Sequence, residues 1–356
     1  MIFISKSNRW SIPDRLKSTP YMHDLLLYSG QEDNYEQACR DIKKYLLVDA
    51  DDSQINRLCI HYGELLEDLE GETKNLENAL KERTSSLLEN LDGEEVVYGM
   101  LDGCMLPTRP HHIDGEDIGS WKEMKLGRFF REKDHLDLGS KPNIIRESIY
   151  VSHFGKHDDF SDKLEILLDK LEPLEERLVF INDGATWIAN FIKTNYPKAT
   201  DILDFYHVSE YLHEFSKVIF SKRTQNDERL IPIAIGRIDK QVLRILNNKI
   251  GNVIKEVEQM ILKGKTKITA QQKIVTYYKK NQERMMYQTY RNQGLLIGSG
   301  PIESAHRFVL QERMKQSGQK WTKKGGQAVA NLRVCNLNNQ WQTVVDLIQK
   351  DTANAA

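Results

Sequence analysis

Between Asn34 and Leu69 apolar residues recur at helical spacing, with Ala38, Ile42 and Leu46 on one stripe and Ile55, Leu58 and Leu65 on another. The VDADDS stretch between the stripes predicts a short connector with Ser53 as N-cap. Two short helices so spaced are compatible with a helix-turn-helix and equally with an ordinary helical hairpin. Leu69, Leu76, Leu80, Leu87 and Leu91 extend the pattern through an acidic arm, either as a short coiled-coil seam or as a helix lying on the body of the molecule.

At EEVVYGMLDGCML the period changes. Apolar, small and β-branched residues bounded by Gly93 and Pro107 predict a buried strand that ends at Asp102. SWKEMKLGRFFRE and IRESIYVSHF alternate, which predicts two antiparallel strands, and a helix is expected around 161–172. ERLVFINDGATWIANFI reads as a short strand ending at Asp183-Gly184 and turning directly into a helix, and ATDILDFYHV as a strand ending at Asp204. That order of elements describes a mixed sheet in an α/β layer architecture. Beyond His207 some eighty residues are helical and basic with no strand signal before GLLIG, an all-α insertion; a helix then opens at Pro301.

With 356 residues, 40% of them hydrophobic, the chain can bury a substantial core and is expected to form two or three units. No stretch approaches the ~20 apolar residues of a membrane span and the first residues lack a basic segment followed by a long apolar run, so a cytoplasmic protein is expected. Cys39, Cys59, Cys104 and Cys335 are scattered, which indicates neither a zinc ribbon nor a disulfide framework. The net charge of −2 hides a strong asymmetry. Residues 1–100 hold 11 Lys+Arg against 20 Asp+Glu and residues 101–216 hold 14 against 22, but residues 217–333 hold 24 against 8. Such a basic segment suits a polyanion such as DNA, since each neutralised phosphate releases counterions; a merely solvated lysine-rich face is the alternative.

The chemistry centres on three acids. Asp102 and Asp183 each end a predicted strand and precede glycine, so their carboxylates stand at a sheet rim with little bulk beside them. Magnesium prefers hard oxygen ligands, and two ions about 4 Å apart can stabilise attacking and leaving oxygens in a phosphoryl displacement. Glu303, in the first turn of the helix opened by GSGPIESA, is the candidate third acid, and helix capping by Ser299 or Gly300 with a dipole-complementing Glu303 is the competing account. For each aspartate alone an Asp-Gly turn is the competing account.

The motifs LDG at Asp102, SWKEMKLGRFF, NDGATWI at Asp183, DILDFYHVSEYL, GSGPIESA at Glu303 and ERMKQSGQKW resemble the DDE transposases of bacterial insertion sequences, most closely the ISKra-like group, with kinship to the ISLre-like group. The resemblance runs from about residue 34 to 335 and implies a ribonuclease H (RNase H)-like mixed sheet flanked by helices, with an all-α insertion and an N-terminal helical region. It implies Asp102, Asp183 and Glu303 as catalytic, metal-ligating acids that hold two Mg2+ ions, with Mn2+ able to substitute. It also implies an Asp-x-x-His motif at Asp204 and His207, for which an N-capping Asp and a hydrogen-bonded His are the alternative. Relatives often carry a cysteine-rich zinc element near the N-terminus; here the helical hairpin at 34–69 is left as the candidate for recognising element ends.

The expected organisation is an N-terminal helical region (1–62), an acidic arm (63–95), the catalytic core (96–208 and 290–335) interrupted by the basic insertion (209–289), and a C-terminal tail (336–356). Lys122, Lys125, Arg307, Arg313, Lys315, Lys320 and Trp321 are the candidate DNA contacts. Trp321 is read either as a base-stacking group or as core, the lysines of the second strand as phosphate contacts or solvent-facing residues, and Arg307 as a DNA contact or an ion-pair partner of Glu303. The expected partners are transposon ends and target DNA, bound by a homodimer or higher oligomer, with no membrane. A nuclease or junction resolvase of the same fold, without strand transfer, and an inactive DNA-binding relic are the alternatives.

Overall fold

The structure, a computed structural model, describes residues 19–72, 95–113, 116–136, 139, 143–220 and 231–355. Polar caps set the first helices. Thr19 Oγ1 accepts from the Met22 N–H (3.2 Å) at the head of α1 (Pro20–Glu32), and Asn34 Oδ1 accepts from the Gln37 N–H (2.9 Å) at the head of α2 (Tyr35–Leu46). α3 (Asp52–Glu72) starts one residue earlier than Ser53 allows: the Asp51 carboxylate accepts from the Ser53 N–H (2.8 Å), so the aspartate caps and the serine lies in the first turn. The remainder of the expected acidic arm, 73–94, lies outside the described residues.

The strands are β1 (Val97–Ile113), β2 (Glu116–Arg131), β3 (His135–Leu136), β4 (Ile144–Ile145), β5 (Ile149–His153), β6 (Leu178–Asn182) and β7 (Thr200–Leu203). Five of them form one mixed sheet in the order β5-β2-β1-β6-β7, flanked by helices as the resemblance implied, and β3 and β4 form a small ladder. β1 does not stop at Asp102. It continues to Ile113, through Pro107, which reads as a terminator, and Pro110, and from Pro107 to Arg109 it exchanges backbone hydrogen bonds with Trp321. These bonds use the Pro107 carbonyl and the Arg109 N–H, so the missing proline N–H groups cost the ladder nothing there.

The chain divides into two compact units. One gathers the described residues of 1–92, 103–172 and 303–356; the other those of 93–102 and 173–302. In the first unit β2 and β5 pair antiparallel, Lys125 opposite His153 and Phe129 opposite Ile149, and α4 (His157–Leu171) follows. α12 (Lys323–Leu337) runs against both β5 and α3. A Cβ at Gly63 of α3 would run into the Ala328 backbone, and Asn331 Nδ2 donates to the Gly63 carbonyl at 2.9 Å. The expected C-terminal tail is a helix, α13 (Trp341–Ala355).

In the second unit β1 pairs with β6 and β6 with β7, both parallel. α5 (Thr186–Asn195) and α6 (Phe205–Ile219) follow β6 and β7; then come α7 (Ile231–Leu246), α8 (Ile250–Glu258), α9 (Lys265–Asn281), a 3-10 turn (Gln282–Arg284) and α10 (Tyr287–Asn292). Among the described residues this insertion is wholly helical, as its sequence predicts. α11 (Gly300–Ala305) continues into a π-helical stretch (His306–Gln311) and a last turn (Glu312–Met314).

Candidate active site

The parallel ladder of the second unit is built from buried apolar residues, with every residue of β6 buried and Val97, Tyr98, Met100 and Leu101 at most 1% exposed on β1. Its register runs from Val97 opposite Leu178 to Met100 opposite Ile181. Asp102 and Asp183 each stand two residues past the last paired position of neighbouring parallel strands, Asp102 within β1 and Asp183 just beyond the end of β6. Both are half-buried.

The chain around Asp183 is held by several independent bonds. Gly184 takes a left-handed φ of +90°, and a Cβ there would lie 2.7 Å from Leu203 Cδ1, so glycine is required on two counts. Asp183 Oδ1 accepts from the Ala185 N–H (3.0 Å), and the Gly184 N–H donates to Asn182 Oδ1 (3.2 Å). From α9, the Tyr277 hydroxyl donates to the Asp183 carbonyl (3.1 Å). Burial, with Tyr211 and Asp183 close by, raises the pKa of that phenol, so it stays a donor through the neutral range.

Arg284 supplies the second tie. Its Nη2 donates to Asn182 Oδ1 (2.7 Å) and Asp201 Oδ1 (2.8 Å), its Nε lies 2.7 Å from Asp201 Oδ2, and Nη1 donates to Asn281 Oδ1 (3.1 Å). Burial pushes the Asp201 carboxyl pKa up, and Arg284 and Asn182 oppose that shift. Asn182 thus links a buried ion pair to the Gly184 N–H. Neither Arg284 nor Tyr277 is legible locally: the arginine sits in a three-residue turn and the tyrosine within an ordinary helix.

Asp204 is an N-cap. Its Oδ1 accepts from the Tyr206 (2.6 Å) and His207 (3.2 Å) N–H groups, and Oδ2 accepts from the Ser299 N–H (3.0 Å) and the Ser299 hydroxyl. Ser299 therefore spends its side chain on Asp204. His207 is half-buried, with Nδ1 3.7 Å from Glu210 and its ring edge-on to Tyr211 at 5.2 Å.

The remaining nominated residues belong to the first unit. Glu303 is exposed in the opening turns of α11, and Arg307, also exposed, lies 3.5 Å from Glu312. Lys122, Lys315 and Lys320 are exposed. Two expectations are corrected. Lys125 is 4% exposed, its ammonium 2.7 Å from Glu123 and donating to the Gly155 carbonyl (2.8 Å), because a neighbouring acid on the same strand face makes its burial tolerable. Arg313 is 1% exposed, its guanidinium between the Tyr35 and Trp321 rings at 4.9 and 5.2 Å, with Nε donating to the Gly30 carbonyl. Trp321 is buried too, its Nε1 donating to the Met314 carbonyl (2.9 Å), so its core reading holds.

Among the described residues no three His, Cys, Asp or Glu side chains gather as a metal site. Magnesium commonly takes one or two carboxylates, with water and phosphate oxygens completing the shell. Asp102 and Asp183 have side chains of this ligand type.

Fold and register together define an α/β protein in which a carboxylate follows the last paired position on each of two neighbouring parallel strands by two residues. Residues 140–351, more than half of the chain, match the uncharacterised protein family UPF0236, and the chain belongs to that family. A curated relative, the UPF0236 protein in the vanSb 3′ region of Streptococcus gallolyticus, is 25% identical over 236 residues, which covers 64% of this chain and 49% of that protein. The chain thus spans about half the length of that relative. Among solved structures, the Drosophila P element transposase strand transfer complex is similar over 92% of this chain and 81% of that one, with 9% identity and a TM-score of 0.29, too low to carry fold or function. Among the described residues no helix is long and apolar enough to cross a membrane.

Proposed function

We propose that this chain is a DNA transposase of the DDE type, a metal-dependent polynucleotidyl transferase that cuts the end of an insertion sequence and joins it to target DNA. The observation that supports this reading is that Asp102 and Asp183 each follow, by two residues, the last paired position of two neighbouring parallel strands. When bound by these carboxylates, Mg2+ supplies positive charge to the phosphoryl oxygens and lowers the pKa of the attacking water. The resemblance implies Glu303 as the third ligand.

The protein's own contribution is position and charge. Tyr277, Gly184 and the Arg284–Asn182 link fix the backbone that carries Asp183, so its carboxylate is oriented before DNA arrives. In the first step a water oxygen bonds to phosphorus at the element end and the P–O3′ bond breaks, freeing a 3′-hydroxyl. In the second that hydroxyl attacks a phosphorus of the target strand and displaces its 3′-oxygen. The basic surplus of residues 217–333 suits the phosphate backbone of both DNAs. Two element ends must be joined, so a dimer or higher oligomer is the working form.

The test is Mg2+-dependent cleavage and strand transfer on paired end substrates. Asp183→Asn is expected to lower the rate at least ~10³-fold, about 4 kcal/mol of barrier, with unchanged thermal unfolding. Equal rates in wild type and variant, or no metal-dependent cleavage by wild type, overturn the proposal; cleavage without joined product assigns hydrolysis alone.

A further inference from the structure

Trp321, the aromatic that its cationic neighbours nominated for base stacking, is interior, but the second unit holds another in the open. Tyr206, in the first turn of α6, is 64% exposed. Its ring is nonetheless held in place. Phe205 meets it near-perpendicular at 5.7 Å, and Gly298 lies so close that a Cβ there would stand 2.6 Å from the ring. The next residue, His207, is edge-on to Tyr211, and Tyr211 stacks on Tyr277 with centroids 4.1 Å and planes 3° apart. Tyr277 is the residue whose hydroxyl donates to the Asp183 carbonyl. Two exposed cations of α9 border this row: Lys273 lies 5.2 Å over the Tyr211 ring, and Lys280 donates to Thr186 Oγ1 (3.0 Å), three residues past Asp183.

We propose that this face binds unpaired nucleotides of the DNA strand, with a base stacked on the open side of Tyr206 and neighbouring phosphates on Lys273 and Lys280. The identity of the strand rests on the transposase reading above. A single exposed tyrosine is ordinary on a protein surface. Here the ring is already fixed against backbone, so stacking a base on it costs little side-chain entropy. Lys273 over the Tyr211 ring and Lys280 beside Thr186 add exposed ammonium groups to the aromatic row, a combination that suits single strands, whereas an apolar protein partner would need contiguous apolar surface. Glu210, facing His207, is the acid of the first two turns of α6.

The experiment measures fluorescence anisotropy of the full chain with a labelled short single strand and with a strand of equal length carrying abasic sites. Tyr206→Ala is expected to weaken binding of the base-bearing strand about tenfold and to leave the abasic strand unchanged, while Tyr206→Phe binds like wild type. The Lys273→Ala, Lys280→Ala double variant is expected to reduce the salt dependence of both strands by roughly 0.7 per lost phosphate contact. Equal affinity of wild type and Tyr206→Ala for the base-bearing strand, equal wild-type affinity for both strands, or no binding of either overturns the proposal. Its failure is separable from that of the transposase reading. Asp183-dependent cleavage with Tyr206-independent binding sinks this surface alone; Tyr206-dependent binding without metal-dependent cleavage sinks the transposase reading alone.

Discussion

Two arginines, the buried Arg313 in the first unit and the largely buried Arg284 in the second, are accommodated in opposite ways. Arg313 in the first unit is sandwiched between Tyr35 and Trp321 and bonds to the Gly30 carbonyl; burial lowers its pKa, with Tyr35, Cys59 and Asp33 opposing the shift. Arg284 in the second unit is paired with the Asp201 carboxylate and bonded to two asparagine side chains. Ring faces and a carbonyl ask little of the cation's charge, whereas a buried carboxylate requires it. The first arginine is chiefly packing. The second is an electrostatic necessity whose hydrogen bonds lead, through Asn182, to the backbone beside Asp183.

The largest test of that contrast is Arg284→Met. It strands Asp201 as a buried charge and is expected to cost ~3–5 kcal/mol in urea unfolding. Adding Asp201→Leu is expected to recover much of the loss, because both charges are then gone. Next comes Arg313→Met, which forfeits one charge-assisted hydrogen bond and two ring contacts, about 1.5–3 kcal/mol, while cleavage per folded molecule stays at the wild-type rate. If Arg313→Met costs as much as Arg284→Met, the distinction between packing and necessity collapses.

The smallest effect belongs to His153, a buried base of the first unit whose Nε2 lies 3.4 Å from Asp159. Burial holds its pKa down, Lys163 and Lys323 add to this, and Asp159 and Glu67 oppose it. Folding therefore favours the neutral ring, and in acid the unfolded chain binds the extra proton first. The stabilisation is complete above about pH 6.5 and is lost as pH falls through the lower folded value. Urea titrations from neutral to mildly acidic pH are expected to show a flatter stability profile for His153→Asn than for wild type; an unchanged slope would show that Asp159 already compensates.

Much of the sheet was readable from periodicity. The apolar runs into Asp183 and Asp204 and the alternation of β2 and β5 are strand signals that burial explains directly. The end of β1 was misread because Pro107 resembles a terminator, while its carbonyl serves a ladder with Trp321 some two hundred residues away. Lys125 and Arg313 were misplaced for a related reason. A cation beside apolar residues looks exposed until a distant partner is known: Gly155 for the lysine, Tyr35 for the arginine. Arg284 carries no local signal at all, since its carboxylate partner lies on β7.

The contact of Gly63 with Ala328 joins the beginning of the first unit to its end. Two helices far apart in sequence touch through a residue with no side chain, so neither can be swapped or shortened as a cassette. A fragment carrying only α1 to α3 would lose the α12 surface on which α3 lies.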